Sequence, residues 1–239
     1  MFRQSVVIIA LITTLIACES NSEPPRPPAK SPTTRPPATR PAAVTAPAGL
    51  FRGDAKEVSL FNGKTLGQWK STEFGGEGEV LVEDGKIIVH SGATLSGVNW
   101  TGPALPTENY EIELDAMKLD GSDFFLGLTF PYKKDYASLI LGGWGGGVVG
   151  ISSVNGFDAA NNEFSTAMEF TKNTWYHVRL RVTSDKIRAW ITGHEDPVLD
   201  VETEGKEIST RSDIDAAKPL GLSTYQTSAA YKNIRMRKL

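Results

Sequence analysis

Residues 175–191 read WYHVRLRVTSDKIRAWI, and their alternation decides the fold. Tyr176, Val178, Leu180 and Val182 fall on one side of a period-two pattern, His177, Arg179 and Arg181 on the other. Successive side chains of an extended chain point to opposite faces, so this repeat predicts a half-buried strand. After Ser184-Asp185, Ile187, Ala189 and Ile191 alternate with Arg188 and Trp190, which predicts a hairpin with a polar turn. Working outward, EVLVEDGKIIVH (79–90) places Asp84-Gly85 between two β-rich runs, a hairpin signal because both turn positions favour positive φ. YEIELDAM (110–117) alternates again, and FFLGLTF, YASLIL, VVGIS, PLGLSTY and YKNIRMRKL add short strands separated by Gly, Pro, Asn or Asp. Long amphipathic helices are missing. The fold class expected is all-β, an antiparallel β-sandwich or jelly roll over residues 55–239.

The residues before it read differently. Arg3 precedes an apolar run from Val6 to Ala17. A helix needs about twenty residues to span a bilayer, so this run fits a signal-peptide core better. It ends in Leu15-Ile16-Ala17-Cys18, the pattern of a bacterial lipoprotein signal, and Cys18 is the chain's single cysteine. A lone thiol in an exported protein has no disulfide partner, and lipidation at Cys18 accounts for it; an ordinary secretory signal with a chance cysteine is the alternative. The expectation is a signal over residues 1–17, then a lipidated cysteine and proline-rich spacer over 18–54, with nine of the fourteen prolines in 19–49. Such a segment has too little apolar surface to fold and holds the domain away from the membrane to which the lipid anchors it. The protein is thus expected to be exported, lipid-anchored and monomeric. A net charge of −3 with no basic stripe argues against nucleic acid as a partner.

LILGGWGGGVVGIS (139–152) contains Gly145, Gly147 and Gly150 at G-x-G-x-x-G spacing. A dinucleotide loop needs a helix opening at its last glycines, because the helix N-terminus binds the phosphate. ISSVNGFD follows instead, β-branched and then a turn, so the glycines are read as bulges or bends. Trp144 among them either fills a core gap or presents a stacking surface to a sugar ring.

At FNGKTLGQW (61–69) the chain resembles the opening of the 3-keto-disaccharide hydrolase family. VLVEDGKIIV, YEIELDA, WYHVRLRVTSDKIRAWITG and PLGLSTYQTSAAYKNIRMRKL are similar to its later segments, so the resemblance covers residues 57–239. It implies a concanavalin A-like jelly roll whose concave face holds a carbohydrate, and Asp115 matches the family's acidic residue. The chain departs from the family in placing Asp123 where members carry Asn, Leu128 near an Arg place, and Ser223 and Tyr225 at Gln and His places. Hydrolysis would lose most of its polar set by these replacements.

Candidate chemistry centres on Glu111, Glu113 and Asp115, which project from one strand face about 6.7 Å apart. That separation lies in the inverting range of about 6.5–9.5 Å, yet two residues on one strand approach a bond from the same side, so at most one is catalytic. The alternative is a charge ladder against Arg179, Arg181 or Arg188. His177 is a candidate acid or base for a keto-sugar, whose carbonyl acidifies the adjacent C–H; a structural histidine is the other reading. No zinc ligand set is present. The loop NGFDAANNEF, with Asn155, Asp158, Asn161, Asn162 and Glu163, is either a solvated turn or an oxygen-rich calcium site; no other cofactor is expected. Two functions follow. One is a glycan-directed enzyme cleaving a keto-sugar glycoside with Asp115, Glu113 and His177. The other is a lectin-like carbohydrate-binding module using Trp144, Tyr225, Trp190, Trp100 and Asp123.

Overall fold

The computed structural model describes residues 49–239; the expected signal, Cys18 and most of the proline-rich spacer lie outside the described residues. In chain order the strands are β1 (Glu57–Ser59), β2 (Trp69–Ser71), β3 (Val80–Glu83), β4 (Lys86–Val89) and β5 (Leu95–Trp100). Next come β6 (Tyr110–Gly121), β7 (Leu126–Tyr132), β8 (Asp135–Gly143), β9 (Val148–Ser152) and β10 (Ser165–Ala167). The chain closes with β11 (Trp175–Val182), β12 (Lys186–Ile191), β13 (Leu199–Glu202), β14 (Gly221–Tyr225) and β15 (Thr227–Lys238). They form two antiparallel sheets. An eight-stranded sheet runs β13-β12-β11-β6-β15-β4-β3, with β1 also pairing β15, and a seven-stranded sheet runs β10-β9-β8-β7-β14-β5-β2. The expected all-β antiparallel sandwich is the observed architecture.

The alternation read from residues 175–191 is realised residue by residue. Val178, Leu180 and Val182 of β11 and Ile187, Ala189 and Ile191 of β12 are buried between the sheets. Val178 pairs with Ile191 and Val182 with Ile187 across the hairpin. Asp84 and Gly85 both take positive φ, +47° and +76°, which lets Glu83 pair with Lys86 in a two-residue turn. Along β6, Tyr110, Ile112, Leu114 and Ala116 enter the core, where they share one apolar cluster with Leu126, Leu128 and Phe130 of β7.

Two buried tyrosines tie the sheets together. Tyr231 of β15 donates its hydroxyl across the core to the Phe125 carbonyl at 2.7 Å, and Tyr110 of β6 donates to the Pro131 carbonyl. Burial raises both phenol pKa values, so each hydroxyl stays a donor at any ordinary pH. One further element was not legible in the sequence: a 3₁₀ helix, Ser212–Ala217, buries Ile214 and Ala217. It crosses the outer face of the seven-stranded sheet. Gly221 permits this approach, since a Cβ there would stand 2.6 Å from that of Ala217.

Replacing Tyr231 with Phe should destabilise the domain by about 1–2 kcal/mol, because the Phe125 carbonyl is left buried without its donor. The urea midpoint of the variant against that of the parent measures this.

Candidate functional site

Each sheet commits one face to the core, so chemistry is confined to the two outer faces. The sequence candidates divide between them. On the eight-stranded sheet, Glu111, Glu113 and Asp115 point outward from β6, with β11 on one side and β15 on the other. Glu111 is flanked by Arg181 and Arg237, Glu113 by Arg179 and Arg235, and Asp115 by His177 and Lys232. Glu111 is buried and bonded to both its arginines. Arg235 stands 3.6 Å from Glu113. Asp115 lies 2.8 Å from His177 Nδ1 and accepts from Asn233 Nδ2 at 2.6 Å. The carboxylates thus stand in a ladder between two basic strands. Arg188, considered as a partner from sequence, pairs instead with Asp200 at 3.1 Å. Trp190 lies on the same face with the Arg179 guanidinium 4.0 Å from its ring centroid. Glu113, His177 and Trp190 line a shallow hollow of about 230 Å³.

The outer face of the seven-stranded sheet is built differently. Its strands turn Ser138, Ile140 and Ser152 outward, and these form the floor of a cavity of about 300 Å³. Trp144, Phe124 and Tyr225 form aromatic walls, with the Phe124 and Tyr225 ring centroids 6.0 Å apart. Ile214 of the 3₁₀ helix covers one side, and Asp123, Arg211 and Asp213 add charge at the edge. Ser138 bonds Thr129 at 3.0 Å, whereas the buried Ser152 hydroxyl has no partner. A buried hydroxyl without a partner costs stability unless something else supplies one.

The glycine-rich stretch produces the Trp144 wall. The register between β8 and β9 shifts between Leu141 and Gly143, a bulge at which Gly142 takes φ +78°. The chain then turns through Trp144 at φ +48°, leaving its side chain 41% exposed. Asp123 holds this turn. Its carboxylate accepts the N–H groups of Phe124 at 2.8 Å and of Trp144 and Gly145, each at 3.2 Å. Beyond Gly150 the chain continues as β9 to Ser152, with no helix, so the dinucleotide spacing has no phosphate-binding context.

Asp123, Trp144 and Tyr225 therefore share one cavity, while Asp115, Glu113, His177 and Trp190 share the other face of the sandwich. Asp115 of β6 and Tyr225 of β14 cannot meet in one centre, because they stand on opposite outer faces of the two packed sheets. Trp100 is also displaced from its expected role. It is buried, packs edge-on against Trp69 at 5.5 Å and donates Nε1–H to the Pro103 carbonyl at 3.0 Å, so no ring face is open to a ligand. Leu128 points into the core. In the loop considered for calcium, Asn155, Asp158 and Asn162 turn their side-chain oxygens onto backbone or side-chain N–H groups. The Arg211 guanidinium already stands 3.3 Å from Asp158. Among the described residues no group of acidic, histidine or cysteine side chains is arranged to hold a metal. Arg211, Asp213, Ser138, Ser152 and Ile140 were missed from sequence. The STRSDID stretch has no periodicity to place it, and serines on a strand look like ordinary solvent-facing positions.

The ladder yields a pH prediction. Burial pushes the Glu111 carboxyl up, but the bonds from Arg237 and Arg181 outweigh it and leave the pKa below the ordinary 4.5. A depressed carboxylate stabilises fully above its unfolded value and loses that contribution as pH falls through the folded one. Glu111→Gln should cost about 2–3 kcal/mol at pH 7, less than for a fully enclosed pair because both arginines are partly exposed. Urea titrations from pH 7 downward should show a smaller acid-induced loss in the variant than in the parent.

The sequence model of the 3-keto-alpha-glucoside-1,2-lyase-like domain matches residues 56–237. No curated protein matches the chain. Among solved structures, a protein of unknown function with a galectin-like fold from Bacillus subtilis superposes with a TM-score of 0.55 at 10% identity, over 80% of this chain and 97% of that one. The apo Crh5 transglycosylase superposes with a TM-score of 0.51 at 12% identity, over 76% and 82%. Likeness at such identity establishes the fold alone. The family match spans almost the whole sandwich, and by it the chain belongs to the 3-keto-alpha-glucoside-1,2-lyase-like domain family.

Proposed function

We propose that the domain is a lectin-like module that binds a carbohydrate of the α-glucoside class in the cavity on the seven-stranded sheet. The observation that carries this reading is the pairing of an exposed Trp144 and the Phe124–Tyr225 wall with an unpartnered, buried Ser152 hydroxyl in one cavity of about 300 Å³. Sugar rings offer apolar C–H faces for stacking and hydroxyls that complete such a donor or acceptor. Family membership supports an α-glucoside as the sugar class.

Catalysis is the second reading, favoured by the lyase-like description of the family. A 3-keto group acidifies the neighbouring C–H, so a base could start elimination across the glycosidic bond. The carboxylates of this cavity are poorly placed for that role. Asp123 spends its oxygens on three backbone N–H groups, and Asp213 faces Arg211, whose Nη2 donates to it at 3.0 Å. The His177–Asp115 pair, which has the form of an oriented acid–base couple, stands on the other sheet. Binding is therefore the better reading. Export with a lipid on Cys18 and the proline-rich spacer belong to the same proposal, since they would present the cavity to glycans outside the cell; loss of membrane association in Cys18→Ser is its test.

Calorimetric titration with methyl α-glucoside should give a Kd that Trp144→Ala or Tyr225→Ala weakens about tenfold or more, while Asp115→Asn leaves it unchanged. Turnover of a 3-keto-glucoside that Asp115→Asn abolishes would overturn the binding-only reading.

A further inference from the structure

Beside the cavity lies a second, more open depression of about 500 Å³, lined by Ser153, Gly156, Asp158, Ser209, Thr210, Arg211, Ser212 and Asp213. Arg211 and Asp213 line both, so their ion pair is a shared wall. The chain steps directly from one into the other: Ser152 belongs to the cavity floor and Ser153 to the trough. The chemistry of the two differs. No aromatic ring lines the trough, and its surface is hydroxyl and charge. Thr210 bonds Asp215 at 2.7 Å. The side-chain hydroxyls of Ser153, Ser209 and Ser212 make no hydrogen bond among the described residues, and Ser153 is buried apart from the trough it lines. Arg211 is held from both sides, by Asp213 at 3.0 Å and Asp158 at 3.3 Å, so both carboxylates are paired with the one guanidinium and its orientation is fixed. Phe157, between the lining residues Gly156 and Asp158, is 58% exposed, more than any other large apolar side chain described.

Resting on the carbohydrate reading above, we propose that this trough is a second saccharide subsite, in which the unit glycosidically joined to the one on Trp144 is read through hydroxyls and not by stacking. A neutral sugar unit suits it. Three uncommitted serine hydroxyls can each donate or accept, as sugar hydroxyls do, and the charges present are already paired. A ligand of two linked units must cross the Arg211–Asp213 wall, where the guanidinium still has N–H donors free for the linking oxygen or its neighbours.

The test compares one sugar unit with two. Methyl α-glucoside, kojibiose and maltose are titrated calorimetrically into the parent, Ser212→Trp, which fills the trough from an exposed position, and Ser209→Val, which removes a hydroxyl. At least one disaccharide should bind the parent about tenfold more tightly than the single unit. Both variants should lose that gain while keeping the affinity for methyl α-glucoside. In amide NMR spectra the disaccharide should shift Ser209, Thr210 and Ser212 in addition to the Trp144 indole N–H, and methyl α-glucoside only the latter. Equal affinity for one and two units, or a gain that survives in both variants, would overturn the subsite. Failure of all three sugars to bind would overturn the carbohydrate reading itself, a result distinct from loss of the length dependence alone.

Discussion

Along β6, Tyr110, Ile112, Leu114 and Ala116 pack against the second sheet, while Glu111, Glu113 and Asp115 meet basic or histidine residues on both neighbouring strands. A one-residue slip would bury the carboxylates and expose the core, so the register is enforced by two opposed penalties. Glu111 marks the strictest point, since it is buried and accepts from Arg181 and Arg237. With β6 held in this way, β11 and β15 have no freedom of register either. The tyrosine bonds from β6 and β15 to the Pro131 and Phe125 carbonyls then set the second sheet against the first.

This arrangement explains why the two outer faces serve different ends. On the eight-stranded sheet the outward side chains of β6 from Glu111 to Asp115 meet charged or polar partners on β11 and β15, and beyond them Ile88, Met117 and Ala230 pack as a small apolar patch, which leaves only a shallow hollow. On the seven-stranded sheet many outward positions are small, among them Gly127, Ser138, Gly150, Ser152 and Ser223. A Cβ on Gly127 would approach the Phe124 ring to 3.0 Å and Ile214 Cδ1 to 3.4 Å. Small strand residues lower the floor, and large residues rise around it, Trp144 from the bulged turn, Ile214 from the 3₁₀ helix and Tyr225 from the end of β14. The cavity is a consequence of where side-chain volume was left out as much as of where it was added.

Much of this was legible from local pattern. The hairpin of residues 175–191, the Asp84-Gly85 turn and the shared orientation of the β6 carboxylates all follow from a period of two, which operates within a few residues. The glycine stretch could be denied a cofactor role because its flanks do not form a helix. Trp144, Tyr225 and Asp123 were named as candidate ligand residues, and they meet in one cavity. Trp100 was misplaced because a tryptophan on a strand carries no local sign of which sheet face it will occupy. Arg211 and Asp213 had no signal at all; they come from an aperiodic loop whose course is set by the packing of Ile214 and Ala217.

The amino-acid sequence by itself determined the strongly alternating strands with their inward and outward faces, the polar turns of their hairpins and the family, since each is carried by the order of residues along the chain. The tertiary structure alone decided which outward residues would share a surface. It separated Asp115 and His177 from Trp144 and Tyr225, and it brought Ser152, Arg211 and Asp213 to the aromatic cavity. The physical reason is that strand pairing in a two-sheet sandwich joins residues remote in sequence, and which sheet a strand enters is a property of the whole packed core.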